Sequence, residues 1–95
     1  YTKVKEILIK PGESPSYQYH HKRSEIWVIV KGTAEVKLDG VVKTYGQGDV
    51  IHIPVKSKHQ AKNVGDDDLV FIEVQLGEYF GEDDIVRLED KYGRV

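Results

Sequence analysis

Short runs of β-prone residues recur along this chain, each closed by turn chemistry, and no helical period is sustained before the C-terminal segment. Val4 to Lys10 reads as a strand ended by Pro11-Gly12, and Ser16 to His20 as the next. Glu25 to Lys31, closed by Gly32, is as β-prone as any stretch in the chain. Thr33 to Leu38 and Val41 to Tyr45 flank Asp39-Gly40, a pair that favours a type I′ hairpin because both central residues accept positive φ. The turn Gly46-Gln47-Gly48-Asp49 precedes Val50 to Ile53, which Pro54 ends. His59 to Asn63, the turn Gly65 to Asp68 and the long strand Leu69 to Leu76 follow. The charged segment Gly81 to Val95 reads equally as a helical turn, a strand or an extended tail. Such a succession of short antiparallel strands makes an all-β sandwich or barrel.

Ninety-five residues with 39% hydrophobic content make one domain, 1–95, with one modest core that buries roughly 60–70% of the unfolded surface. Fourteen basic against 16 acidic residues leave a formal charge of -2, without the basic excess that a nucleic-acid reader carries. No apolar run approaches a membrane span and no signal-peptide pattern opens the chain, so the expected setting is cytoplasmic, with no membrane partner. Cysteine is absent, which excludes disulfides and thiolate ligands. Methionine is absent too, even at position 1, so the chain reads as N-terminally trimmed or as a domain cut from a longer polypeptide.

The residues able to hold reactive chemistry fall at the spacing of one metal site. Gln18 and His20, two apart, point the same way on an extended strand. His21 to Ser24 lead to Glu25, which opens the next strand, and His59 comes from another. An imidazole from each of two strands, a carboxylate and an amide oxygen make an N/O site suited to Zn, Fe, Mn, Co or Ni, with a position left for water or substrate.

These residues carry a family signature. Gly12, Gln18-x-His20, Glu25 and Gly32 resemble the first cupin motif, with glutamine in place of its first histidine. Gly48-x5-Pro54 followed by His59-x3-Asn63 resembles the second, with Lys56 where that motif usually has glycine. The resemblance implies a double-stranded β-helix, or jelly-roll barrel, with the metal inside. A narrower likeness runs through Gln18-Tyr-His-His-Lys-Arg-Ser-Glu25-Ile-Trp27, Ile72-Glu-Val-Gln75 and the tail from Gly81 to Arg94. These stretches are similar to the cupin domain of type II mannose-6-phosphate isomerases, often the C-terminal half of a bifunctional protein behind a mannose-1-phosphate guanylyltransferase domain. Lys22 and Ile26 stand where that family commonly has histidine, and the Trp-Gly segment that usually precedes the first strand is missing.

The resemblance implies interconversion of mannose 6-phosphate and fructose 6-phosphate by a homodimer, with a guanylyltransferase domain or partner nearby. A divalent ion, Zn first, on Gln18, His20, Glu25 and His59 would polarise the sugar carbonyl as a Lewis acid. Neutral Gln18 keeps the site less anionic than a second carboxylate would, which suits a developing enediolate. Phosphate recognition wants arginine or lysine at the barrel mouth. Arg94 is the first candidate, because the resemblance implies that an arginine there is needed for activity. Lys56 and Lys58 precede His59 and are expected to reach the mouth, and Arg23 sits between two ligand-bearing strands. Candidate proton shuttles are Glu82, chosen first, Asp83 and Asp84 in the tail, and Glu73 beside Gln75 on one strand face.

Plainer roles fit the remaining polar and aromatic residues. His21 points away from His20 on a regular strand, and His52 between Ile51 and Ile53 reads as a structural histidine. Trp27, Val28, Ile29 and Val30 read as packing residues, Tyr17 and Tyr19 as contacts away from the metal, and Asp66 to Asp68 as a solvated turn lacking calcium-loop spacing. A non-catalytic cupin that holds a sugar phosphate or stabilises a guanylyltransferase is the reading from a different class. An iron oxygenase would instead consume dioxygen.

Overall fold

The computed structural model describes residues 2–81 and 84–89. Nine strands run β1 (Thr2–Ile9), β2 (Tyr17–His20), β3 (Arg23–Lys31), β4 (Ala34–Leu38), β5 (Val41–Tyr45), β6 (Val50–Ile53), β7 (His59–Asn63), β8 (Leu69–Gly77) and β9 (Ile85–Glu89). They form two antiparallel sheets, ordered β1-β8-β3-β6 and β5-β4-β7-β2-β9. No helix among the described residues is long and apolar enough to cross a membrane.

Turn chemistry acts where the sequence places it. Asp39 and Gly40 both take positive φ, 48° and 85°, and Leu38 pairs with Val41 on either side of them, as a tight hairpin requires. Lys56 also has positive φ, 67°. A glycine in that second motif would take this backbone freely, whereas lysine holds it against its own Cβ.

Two boundaries differ from the sequence reading in ways that matter. β3 begins at Arg23, so only His21 and Lys22 separate it from β2. Buried Asp84 holds that turn, its carboxylate accepting the backbone N–H of His21 at 3.2 Å and of Lys22 at 3.0 Å. The second difference is the tail. Residues Ile85–Glu89 form an edge strand paired with β2, so the segment that looked ambiguous completes the second sheet.

Strand pairing sorts the interior into cross-strand rows. On the first sheet, Ile7, Phe71 and Ile29 make one row; Lys5, Glu73, Trp27 and Ile51 the next; Gln75, Glu25 and Ile53 a third. On the second, Val36 faces inward beside Ala61, and Leu38, His59, Gln18 and Arg87 lie in register across four strands. One end of the interior is therefore apolar, built on Ile9, Ile29, Ala34, Val36, Leu69 and Phe71, and the other is polar. The apolar end supplies the burial that fixes the strands. The polar end is held by those same strands and must satisfy its own charges.

The outer face of the first sheet carries apolar rows. Val4, Val74 and Ile26 form one outward row, which ends on His52, and Ile72, Val28 and Val50 another, which begins at Glu6. Val28 and Val30, read as packing residues from sequence, are half-buried and exposed on this side, while Trp27 and Ile29 fill the core.

Candidate metal centre

Three of the expected ligands converge at the polar end. His20 at the end of β2, Glu25 on β3 and His59 at the start of β7 are each 2% exposed, and one ligand atom from each lies within 4.8 Å of the others. The His59 ring is oriented by its own turn: Nδ1 donates to the Ser57 carbonyl at 3.0 Å, which leaves Nε2 with the lone pair. Nε2 is buried, has no hydrogen-bond partner and stands 3.9 Å from Glu25 Oε1. A buried, unpartnered acceptor beside a carboxylate and a second imidazole fits a divalent ion.

Arg23 is the residue that the sequence placed too far out. Standing two residues from Glu25 on the same strand, it points inward and is 5% exposed. Its Nε donates to Glu25 Oε2 at 3.0 Å, and its Nη2 lies 3.0 Å from His20 Nε2. Guanidinium has no acceptor, so His20 offers its Nε2 lone pair to Arg23 and carries its proton on Nδ1. Trp27 Nε1 donates to the other oxygen, Glu25 Oε1, at 2.9 Å, so the tryptophan is a polar clamp as well as core. Each Glu25 oxygen keeps a further lone pair for a metal.

Gln18 stands opposite His59 across the β2–β7 pairing and lines the same cavity, with Oε1 accepting from Ser16 Oγ at 3.2 Å. That cavity has a volume of about 310 Å³ and is bounded by both sheets. Its cationic lining residues are Lys5, Arg23 and Arg87. Lys56 and Lys58 are exposed and do not line it; their backbone amides bond the His20 carbonyl and the Asp39 carboxylate, at 2.8 Å each. Glu82 and Arg94 lie outside the described residues.

The electrostatics follow from burial. His20 is held down to about 4 by loss of hydration first, then by the Arg23 charge. Burial likewise lowers His59, so both imidazoles favour the neutral form that a metal requires. Glu73 moves the other way: burial raises it, and the neighbouring Glu25 charge adds to that. Gln75 Nε2 donates to Glu73 Oε2 at 2.7 Å, while Gln75 Oε1 is buried without a partner. The sequence signal for Glu73 was available, since a carboxylate on the inward face of Leu69, Phe71, Glu73 and Gln75 breaks an apolar alternation. Lys5 breaks the Ile7, Ile9 face of β1 in the same way. Arg87 had no such signal, because its strand was not resolved from the tail.

The family model described as mannose-6-phosphate isomerase C-terminal matches residues 1–90. The chain belongs to this family. A relative of this isomerase C-terminal domain, the mannose-1-phosphate guanylyltransferase ManC of Salmonella typhimurium, is 51% identical over 92 residues, covering 97% of this chain. The match spans 19% of that protein, so the chain corresponds to about one fifth of its length. The fold likeness is independent of that identity. A Klebsiella pneumoniae protein with a double-stranded β-helix domain superposes with a TM-score of 0.82 at 22% identity, covering 94% of this chain and 71% of its own. A cupin 2 conserved barrel domain protein from Salinispora arenicola gives 0.72 at 31% identity, covering 78% and 61%. The mannose-6-phosphate isomerase C-terminal domain described here is thus a cupin barrel.

Proposed function

We propose that this chain is a metal-dependent aldose–ketose isomerase that interconverts mannose 6-phosphate and fructose 6-phosphate in the cytoplasm. The observation that carries the reading is the buried His20, Glu25 and His59 cluster, whose His59 lines a cavity that Gln18 and Glu73 also line. Family membership directs the choice of sugar. Gln18, His20, Glu25 and His59 would hold a divalent ion, Zn first and Mn, Co, Ni or Fe as alternatives, to polarise the sugar carbonyl.

The chain's own groups then divide the work. Isomerisation requires a base to take the proton from C2 of the open-chain aldose and return it to C1. Glu73 is suited to this, because burial and the Glu25 charge raise its proton affinity above that of an ordinary carboxylate. Trp27 and Arg23 fix the Glu25 carboxylate by its two oxygens. Glu82 and Arg94 remain further proposals for proton transfer and phosphate contact. The apolar outer face of the first sheet suits a homodimer made by a second copy, and the ManC likeness suits a guanylyltransferase domain alongside.

The test is a coupled assay for fructose 6-phosphate formation with each metal supplied in turn, alongside measured metal content. Turnover that tracks metal loading and is lost in Glu73→Gln supports the isomerase. One observation favours a second reading, a metal-free sugar-phosphate-binding or partner-stabilising module: Arg23 engages the His20 lone pair that a metal would use. Sugar-phosphate binding without turnover under any of the five metals would establish that module and overturn the isomerase.

A further inference from the structure

Three cations line the cavity, from different strands. Arg23 is engaged by Glu25 and His20 at the inner cluster. Lys5 and Arg87 line the same cavity from β1 and β9, the outermost strands of the two sheets on the side where the barrel interior is polar. Lys5 stands beside Glu73 in the first sheet, and Arg87 beside Gln18 in the second. Gln18 in turn stands beside His59, so Arg87 is one strand spacing from Gln18 and two from His59, about 10 Å along the row from the buried imidazole.

Arg87 carries a second mark. Its Nε is buried without a hydrogen-bond partner among the described residues, although the side chain as a whole is only half-buried. A guanidinium kept partly dry with an unmet donor is costly unless a ligand completes it. Its planar fork matches two oxygens of a phosphate monoester, and a lysine from the facing sheet supplies a second positive charge. In an open-chain hexose 6-phosphate the reacting C1–C2 pair and the phosphate lie at opposite ends. The separation of the inner cluster from the outer cations suits such an elongated, singly anchored ligand.

We propose that Arg87, with Lys5, forms the phosphate seat of this barrel, directing the sugar inward towards Glu73 and the His20, Glu25, His59 cluster. The identity of the sugar rests on the isomerase reading; the seat for a phosphate monoester does not.

Calorimetric titration of the 95-residue chain with mannose 6-phosphate, inorganic phosphate and mannose tests this directly. Heat from both phosphate-bearing ligands and none from mannose is expected. Arg87→Ala should weaken mannose 6-phosphate binding by about tenfold or more, with metal content unchanged, because a charge-assisted pair is lost. Arg87→Lys should recover part of that loss, and Lys5→Gln should weaken binding independently; if Arg87→Ala does not fold, these two carry the test. Unchanged affinity in the folded variants, or no phosphate binding by the parent chain, overturns the seat. The two readings fail separately. Arg87-dependent binding without turnover removes the isomerase and keeps the seat, whereas turnover with an unaltered KM in Arg87→Ala does the reverse.

Discussion

Acidifying the metal-free protein from pH 7 to pH 5 should cost it about 2 kcal/mol through His20 alone. The unfolded imidazole titrates near 6.5, whereas the folded one, buried beside Arg23, titrates at about 4. Between those values the unfolded chain binds the proton and the folded one does not, so stability rises with pH. The contribution is fully present above the unfolded value and is lost as pH falls towards the folded one. One pKa unit is worth about 1.4 kcal/mol, so the whole window is worth about 3 kcal/mol, and most of it has gone by pH 5. His59, also lowered by burial, adds with the same sign. Glu73 opposes both: with its value raised above 4.5, the stability it contributes is present below 4.5 and is lost as pH rises through the raised value. Comparing pH slopes in the parent and in His20→Asn isolates the first term. Urea unfolding followed by circular dichroism, with chelator present, reads it; at an m-value of about 1 kcal/mol/M the parent midpoint falls by up to ~2 M more than that of the variant. Equal pH slopes in the two proteins would refute the argument that His20 is held neutral by its burial and by Arg23.

Lys56→Gly should raise stability by up to about 1 kcal/mol, read as a higher melting temperature, because it relieves a positive φ of 67° at a residue with a Cβ. Gly77→Ala should do the opposite, since its Cβ would run into the Lys22 carbonyl oxygen and press on Arg23 Cα at 3.1 Å; a loss of about 2 kcal/mol together with weakened metal uptake is expected. Zinc binding near pH 7 should release almost no proton from the two histidines, because burial already holds both in the neutral form. Calorimetry in buffers of different ionisation enthalpy counts those protons, and a release of two or more would contradict the assignment.

The strands were legible because turn residues punctuate an apolar alternation, and His20, Glu25 and His59 were legible because strand periodicity places them on inward faces. Arg23 was legible only in part. Reading the β2–β3 connection as four residues left it in a loop, whereas a two-residue turn held by Asp84 makes it the inward neighbour of Glu25. That difference depends on a carboxylate more than sixty residues away, which no local pattern shows. Arg87 was hidden for a related reason. Its strand is completed by the edge of β2, and Ile85-Val86 is too short a β-prone run to mark it within a charged tail.

Arg23 also decides how firmly a metal can be held. Its bonds to Glu25 and His20 join a charged donor to a carboxylate and an imidazole, contacts worth about 1.5–3 kcal/mol each relative to hydrated groups. A divalent ion at the cluster would release more, up to the order of 10 kcal/mol known for zinc-finger sites. It would compete with Arg23 only for the His20 lone pair, since each Glu25 oxygen can serve two partners. That competition would lower affinity by a factor of about 10 to 100 without abolishing it. The guanidinium also neutralises Glu25, a buried carboxylate that would be far more costly alone than in the pair. The same arginine thus stabilises the folded barrel without a metal and would weaken the hold on one.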